Sequence, residues 1–352
     1  QQGLNGSRLP TEPADRPVGS REPFSPCWIG KPSRLGSKQP RRRRGHSVTE
    51  VHEESPPDIK GSRGKVLCVV LVYFDVSIIR LCLEFLCAHC DRLDIVVVEN
   101  RSKYTETQIK PSILKWIDSG HVGQYFLFDR NISNNALEVF FDAEHTDMAS
   151  YDHLLLTDGD LITKDKAWLS EELSILDHNP EIFACGIKLD MANLPTRTFP
   201  EAVHWIPPVI EEKENYDEVL TGMNLLMFNA DEFRRFLDYR RKHGLKILDG
   251  HLHRYCYRVL KKKWARTKKS TAIHLTWNNY NDLENEYTRL KTAKTLLETW
   301  NHNLYSSYVQ FSKNGVSRHV PWRKIICGHL RDLYALGWIK RTVKRFLRSP
   351  RS

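Results

Sequence analysis

Long apolar runs are missing from this chain of 352 residues. The longest, Val66–Phe74, is nine residues, far short of the roughly 20 that a membrane-crossing helix requires. Cysteine is sparse: eight in that length are too few for a disulfide scaffold. No stretch has the charged, apolar and small-residue order of a signal peptide. No G-x-G-x-x-G follows the first apolar run, and no G-x-x-x-x-G-K-S/T occurs anywhere. Glycine-loop dinucleotide oxidoreductases and P-loop enzymes therefore lack their signature here. What is present is ordinary for a folded chain, with 40% hydrophobic and 27% charged residues, which excludes collagen, coiled coil and global disorder.

The net charge of +10 is unevenly placed. Residues 1–65 hold 13 Lys and Arg against 7 Asp and Glu, residues 321–352 hold 9 against 1, and residues 66–320 hold 31 against 35. A mildly acidic body argues against a nucleic-acid-binding core, so no nucleic-acid partner is expected. The basic ends suit contact with an anionic surface. Residues 1–64, rich in Pro, Gly, Ser and Arg and including the Arg41–Arg44 run, read as a disordered basic tail. That run is either a solvated tail or a polyanion-binding or targeting element.

Order is expected from Lys65 onward. Val66–Phe74 is a β-branched apolar run, as in a strand buried on both faces of a parallel sheet. Further strands are expected at 94–100, 123–128, 151–157 and 181–191, with helices at 78–89, 104–119, 134–144 and 231–240. Strands alternating with helices describe right-handed βαβ units in a doubly wound α/β sheet. Sites in such sheets lie at the carboxyl ends of the strands. Here those ends are polar: Tyr73-Phe74-Asp75, Glu99-Asn100, Asp129-Arg130-Asn131 and Asp158-Gly159-Asp160.

Asp158 and Asp160 are spaced i, i+2, so in an extended chain both carboxylates project to one side, and the intervening glycine lets backbone approach closely. Two hard oxygen ligands suit Mg²⁺ or Mn²⁺ with a substrate diphosphate completing the shell. The alternative is a polar loop with two solvated aspartates. Cys87-Ala-His-Cys90 has no second ligand pair and reads as thiols without a zinc ion.

With these features the chain resembles the GT-A glycosyltransferases, most closely the family 2 type of nucleotide-sugar transferase. The resemblance rests on VLCVVLVYFD, VVVENRS, DRNISNNA and LLLTDGDLI, and covers roughly residues 65–278. It implies a Rossmann-like α/β fold with a mostly parallel sheet flanked by helices and says nothing of either tail; a helical, basic C-terminal arm over 279–352 is expected from the residues themselves. It implies transfer of a sugar from a nucleoside-diphosphate donor, UDP-linked, to a saccharide or lipid-linked hydroxyl, with inversion and with Mn²⁺ or Mg²⁺. Carried over by position, Tyr73 lies near the nucleobase, Glu99 accepts the N3–H of a uracil-like base, and Arg130 reaches base or phosphates. Asp158 contacts the ribose or metal, Asp160 holds the metal, and His274 completes its shell. Gly222 belongs to a turn at the acceptor pocket, and Asp249 is the general base.

Two positions depart from the family pattern. Glu99 stands where an aspartate is usual, and Leu248-Asp249-Gly250 replaces a paired acid. Each residue also has a plain structural reading: a cap for Glu99 and Asp249, a surface ion pair for Arg130, a strand-turn glycine for Gly222, a core histidine for His274. His251 and His253 are expected to face solvent or the acceptor cleft. The sequons at Asn100 and Asn131 would lie inside the nucleotide pocket, so a cytoplasmic enzyme is expected, peripheral on the inner membrane face. Asp282–Trp300 reads as an amphipathic helix, and 321–352 as a basic helix at an anionic membrane surface. A sugar nucleotidyltransferase would open with a glycine-rich phosphate loop, which is lacking. A non-catalytic binding protein on the same fold remains the contrasting reading.

Overall fold

In the computed structural model, residues 64–143, 147–292 and 306–320 are described. The basic tail before residue 64 and the basic segment 321–352 lie outside the described residues.

β1 (Val66–Val72) is buried along its whole length, because side chains of alternate parity face two different cores. Val66, Cys68, Val70 and Val72 enter one cluster, while Leu67, Val69 and Leu71 enter the other. α1 (Val76–Cys87) starts where Asp75 accepts the backbone N–H groups of Ser77 and Ile78, both at 3.1 Å, an N-cap that satisfies otherwise orphaned donors. β2 (Leu93–Glu99) follows, then a π-helical turn over Thr105–Ile109 that runs into α2 (Lys110–Asp118). β3 (Gln124–Phe128), α3 (Asn135–Asp142) and β4 (His153–Asp158) complete the first half. α1 and α2 cover one face of the sheet and α3 the other, with Ile79 and Ile113 in the first core and Phe140 in the second.

The second half begins with β5 (Leu161–Thr163) and α4 (Trp168–His178), a helix the sequence reading passed over. β6 (Ile182–Leu189), the short β7 (Glu211–Glu212) and β8 (Tyr216–Glu218) lead to β9 (Leu226–Asn229). α5 (Ala230–His243) is capped at its start by the Asn229 side chain, and it stops at Gly244, whose φ of 66° is left-handed. α6 (Asp249–Arg254) passes into a second π-helical turn, Tyr255–Leu260, and then β10 (Lys263–His274). β10 ends at His274, and at Thr276 the chain enters α7 (Thr276–Tyr280). α8 (Glu286–Thr292) lies within the expected 282–300 helix, and residues 293–305 are outside the described set.

β11 (Tyr308–Ser312) and β12 (Gly315–His319) form a hairpin that joins the sheet antiparallel to β3. This corrects the expectation of a wholly helical arm after 279. Tyr308 explains the docking, since its ring packs against Phe126 and Phe128.

The sheet order is β12-β11-β3-β2-β1-β4-β9-β6-β10-β8-β7, with β5 on β10. Pairing is parallel through β3-β2-β1-β4 and between β6 and β10, and antiparallel elsewhere. The sheet is thus mixed rather than mostly parallel. Apolar runs report that a strand is buried, but its direction is set by the connection that delivers it.

Candidate functional site

The carboxyl ends of β1 and β4 are in register side by side, with Leu71 opposite Asp158. Beyond them the chain turns at Gly159, whose N–H donates to the Leu71 carbonyl at 2.8 Å. A Cβ at Gly159 would stand 2.6 Å from Val72 Cγ1 and 3.2 Å from the Leu71 oxygen. Only glycine lets β4 approach β1 this closely and still present a carboxylate on either side. Asp160 then meets the end of β10. Its carbonyl accepts the Leu275 N–H at 2.8 Å, and its carboxylate Oδ2 accepts the Thr276 hydroxyl at 2.6 Å. His274 Nδ1 lies 3.5 Å from the same Oδ2, and its ring stacks on Trp277 at 4.8 Å. Asp160 Oδ1 is buried with no hydrogen-bond partner among the described residues.

Asp249 opens α6 as expected and is buried, at 5% exposure. Burial, reinforced by the nearby charge of Asp158, pushes its carboxyl well above the usual range, while a hydrogen bond from the Met223 backbone opposes the shift. Its Oδ1 also lacks a partner among the described residues. Gly222 lies directly against it: a Cβ there would come within 3.2 Å of Asp249 Oδ2. The structure therefore gathers Asp158, Asp160, His274, Gly222 and Asp249 into one neighbourhood at the strand ends.

Tyr73 and Phe74 form one wall. Phe74 has φ of 72°, an unusual conformation for an aromatic residue, and its ring contacts Tyr104 at 5.1 Å and Tyr287 at 5.8 Å. Tyr287, on α8, also faces Tyr73 at 6.4 Å and stacks on Tyr280 at 5.8 Å. Burial drives its hydroxyl well above the usual range, with the charges of Asp160 and Asp158 adding to the effect. α8 thus brings a tyrosine up to the paired carboxylates. It is held there by Glu286, which accepts the Tyr104 hydroxyl at 3.0 Å and pairs with Lys103 at 2.5 Å.

Other expected residues lie elsewhere. Glu99 is fully buried at 0% exposure and accepts the hydroxyls of Thr105 and Tyr125. Burial raises it from the ordinary 4.5 to about 7, against the lowering pull of those hydroxyls. In this arrangement it ties β2 to β3 and the turn before α2. Arg130 stands at the end of β3, two strands from β1, with Nε 3.5 Å from Asp129.

Asn100 and Asn131 are used internally. Asn100 Oδ1 accepts the Ile132 N–H at 2.9 Å and its amide donates to the Ser133 carbonyl at 3.1 Å, while Asn131 Oδ1 accepts the Ser133 N–H at 2.8 Å. His253 does not face solvent: Nε2 donates to the Thr221 carbonyl at 3.0 Å and the ring meets Trp264 edge-on at 4.4 Å. Burial lowers it to about 4. His251 accepts the Lys246 N–H at 2.8 Å. Asp217 and Glu218 are engaged with Arg266 at 2.6 Å and Lys263 at 3.1 Å.

Among the described residues no three His, Cys, Asp or Glu side chains are placed to hold a metal ion together. What the site offers is a partial shell: the unpartnered Asp160 Oδ1, Asp158 on the same turn, and His274 beside them. Mg²⁺ and Mn²⁺ bound through one or two carboxylates complete their shells with substrate phosphate oxygens and water, and this donor set fits that arrangement. Sequence reasoning missed Thr276 and Tyr287. For Thr276 the signal was a hydroxyl two residues beyond His274; for Tyr287 there was none, because its approach is purely tertiary.

No family model matches the chain. Three curated relatives come from Acanthamoeba polyphaga mimivirus and are named uncharacterized proteins L137, L138 and L142. The chain is 37%, 37% and 36% identical to them over 69%, 73% and 74% of its length. It spans only 34%, 29% and 53% of the length of these larger proteins. Among solved structures, GalNAc-T7 with UDP, GalNAc and Mn²⁺ is similar at a TM-score of 0.40 and 11% identity, over 60% of this chain and 44% of that one. Likeness at that level assigns neither fold family nor activity.

Proposed function

We propose that the chain is a metal-dependent glycosyltransferase of GT-A type. It would move a sugar from a nucleoside-diphosphate donor, with UDP-sugars first in order of expectation, to a hydroxyl of a saccharide or lipid-linked acceptor, with inversion. One observation carries this reading: the Asp158-Gly159-Asp160 turn ends β4 beside the end of β1, where Asp160 accepts the Thr276 hydroxyl and lies beside His274. A Mn²⁺ or Mg²⁺ ion, when bound, supplies the counter-charge for a departing diphosphate. Asp160 and Asp158 provide its carboxylates and His274 a neutral imidazole. Tyr73 and Phe74 offer ring faces to the base.

Asp249 would accept the proton of the acceptor hydroxyl as the bond to the anomeric carbon forms, and Gly222 leaves room for that hydroxyl. A carboxyl with raised proton affinity suits a general base acting near neutral pH. It must be ionised to act, and neutralising the charge on Asp158 lifts the repulsion that opposes ionisation. The basic segment 321–352 suits an acceptor presented at an anionic membrane surface facing the cytoplasm.

The test is donor-dependent nucleotide release over a panel of UDP-, GDP- and dTDP-sugars, with Mn²⁺ and with EDTA. Release with one donor class that EDTA abolishes is expected. Absence of release with every donor, or full release in EDTA, would overturn the reading.

A further inference from the structure

Positive charge is concentrated in one stretch of the folded body. Residues 234–269 hold 14 Lys and Arg against 2 Asp and Glu, whereas the rest of 66–320 holds 17 against 33. Some of these cations are used inside the fold. Arg240 and Arg241 pair with Asp142, Lys262 with Glu232, and Arg266 with Asp217. Five are not: Arg235, Lys242, Arg254, Arg258 and Lys261 are exposed and form no ion pair among the described residues.

Packing places these five on adjoining surfaces. Arg235 and Lys242 are seven residues apart, on one face of α5. Arg254, at the end of α6, and Arg258 are four apart in a continuous helical segment that closes at Lys261. α5 lies against that segment: Phe236 and Tyr239 meet the Tyr255 ring at 5.3 and 5.0 Å, and Glu232 pairs with Lys262. Arg235 is close enough to Tyr255 for its charge to act on that hydroxyl.

Val259 stands between Arg258 and Lys261 with 43% of its surface exposed. Cations around an exposed aliphatic side chain suit a lipid leaflet, where they meet anionic headgroups and the apolar group enters the interface. A single-stranded nucleic acid would need open aromatic faces. The rings of this region are engaged instead, Tyr239 with Tyr255, and Tyr257 through its hydroxyl to Glu218.

We infer that the surface shared by α5 and the α6 segment is a docking face for a membrane leaflet of anionic lipids. α6 opens at Asp249 and carries Arg254 in its last turn, so docking holds the acceptor end of the candidate site beside the leaflet. That orientation rests on the transferase reading; the docking itself does not.

The experiment is co-sedimentation of the full chain with vesicles of phosphatidylcholine alone and of equimolar phosphatidylcholine and phosphatidylglycerol, with single-stranded DNA binding measured alongside. The unsubstituted protein is compared with a face variant carrying Arg235→Ala, Arg254→Ala, Arg258→Ala and Lys261→Ala. A charge-retaining variant has the same three arginines changed to lysine. A control carries Lys115→Ala, Lys164→Ala, Lys166→Ala and Arg197→Ala, which remove the same charge at exposed positions outside this face. Arg254→Glu with Arg258→Glu shifts the charge equally and replaces the alanine chain if that chain fails to fold.

Each Lys or Arg near an anionic leaflet strengthens attachment about fivefold. The face variant should therefore bind the mixed vesicles about 10²- to 10³-fold more weakly. The control should stay within a few-fold, the lysine variant should bind like the unsubstituted chain, and phosphatidylcholine alone should hold little of any chain. Equal losses in the face and control variants would overturn the inference, by reducing it to net charge. Unchanged vesicle binding by the face variant would also overturn it, and a loss of DNA binding alone would reassign the face to nucleic acid. Donor-dependent nucleotide release in solution should match in every chain. Its absence from all of them overturns the transferase reading and leaves the docking face standing.

Discussion

Strands β3, β2, β1 and β4 run parallel and bury nearly every side chain they carry, whereas beyond β4 parallel and antiparallel pairs are mixed and charged pairs lie inside. Asp217 and Arg266 meet at 2.6 Å with side chains 9% and 11% exposed. Glu171 on α4 accepts three backbone N–H groups from residues 268–270, where β10 bulges. The first half is held by apolar area and its strand ends are simply where the apolar run stops. The second half shares the same apolar cores, through residues such as Phe183, Phe228 and Trp264, and adds particular polar contacts around the segments that carry Asp249, Gly222, His274 and Thr276. A site divided between the two halves therefore depends on one set of groups placed by burial and another placed by pairing.

The largest effect should come from the first half's contribution to chemistry. Asp160→Asn keeps the shape and removes the charge, and donor-dependent nucleotide release should fall by about a thousandfold or more, since metal-assisted charge stabilisation is worth several kcal/mol. The circular dichroism spectrum should be unchanged. Asp249→Asn tests the second half's contribution. Turnover should fall by about 10²- to 10⁴-fold, while calorimetric UDP binding in Mn²⁺ stays within a few-fold, because a proton acceptor acts in the transition state and not on the bound donor.

Stability should separate the halves in a different way. Asp217→Ala leaves Arg266 buried without its partner and should lower unfolding free energy by about 3–5 kcal/mol in urea titrations. A loss under 1 kcal/mol would show that the second half does not rely on its ion pair.

Glu99 supplies the smallest and most pH-specific effect. Burial raises this carboxyl from 4.5 to about 7, so the folded chain retains a proton that the unfolded chain releases. Its contribution is fully present below pH 4.5 and is lost as pH rises to about 7, a fall of about 3 kcal/mol. Glu99→Gln, neutral throughout, should remove that part of the pH dependence when urea unfolding is compared at pH 5 and pH 8. Parallel pH profiles for the two chains would show that Glu99 is ionised in the fold.

Much of the first half was legible along the chain. An apolar β-branched run followed by Asp75, or by Asp158-Gly159-Asp160, announces both a buried strand and the polar edge where it ends. α4 was not legible because Trp168, Leu169, Glu172, Ile175 and Leu176 mix an acid into the buried face. Glu172 is fully buried with both carboxylate oxygens lacking a partner among the described residues, and burial raises it far above the usual range. A periodicity argument counts such a residue as solvent-facing. The β11–β12 hairpin was hidden for a related reason: its strands are short and half-polar, and they exist because β3 offers an unpaired edge beside Phe126 and Phe128. The inward turn of Glu99 was not legible because a strand-end acid looks the same in sequence whether it turns toward a ligand or inward to two hydroxyls.

By itself, the sequence determined the apolar strands β1 to β4, the helices between them, and the carboxylates stationed at their ends. Hydrophobic periodicity and capping are local, and they act through neighbours a few residues apart. Tertiary structure alone decided the strand directions beyond β4, the inward turn of Glu99, the approach of Tyr287, and the meeting of Asp160 with Thr276 across 116 residues. Those outcomes depend on which distant donor fills which acceptor once water has been excluded, and no local pattern encodes that choice.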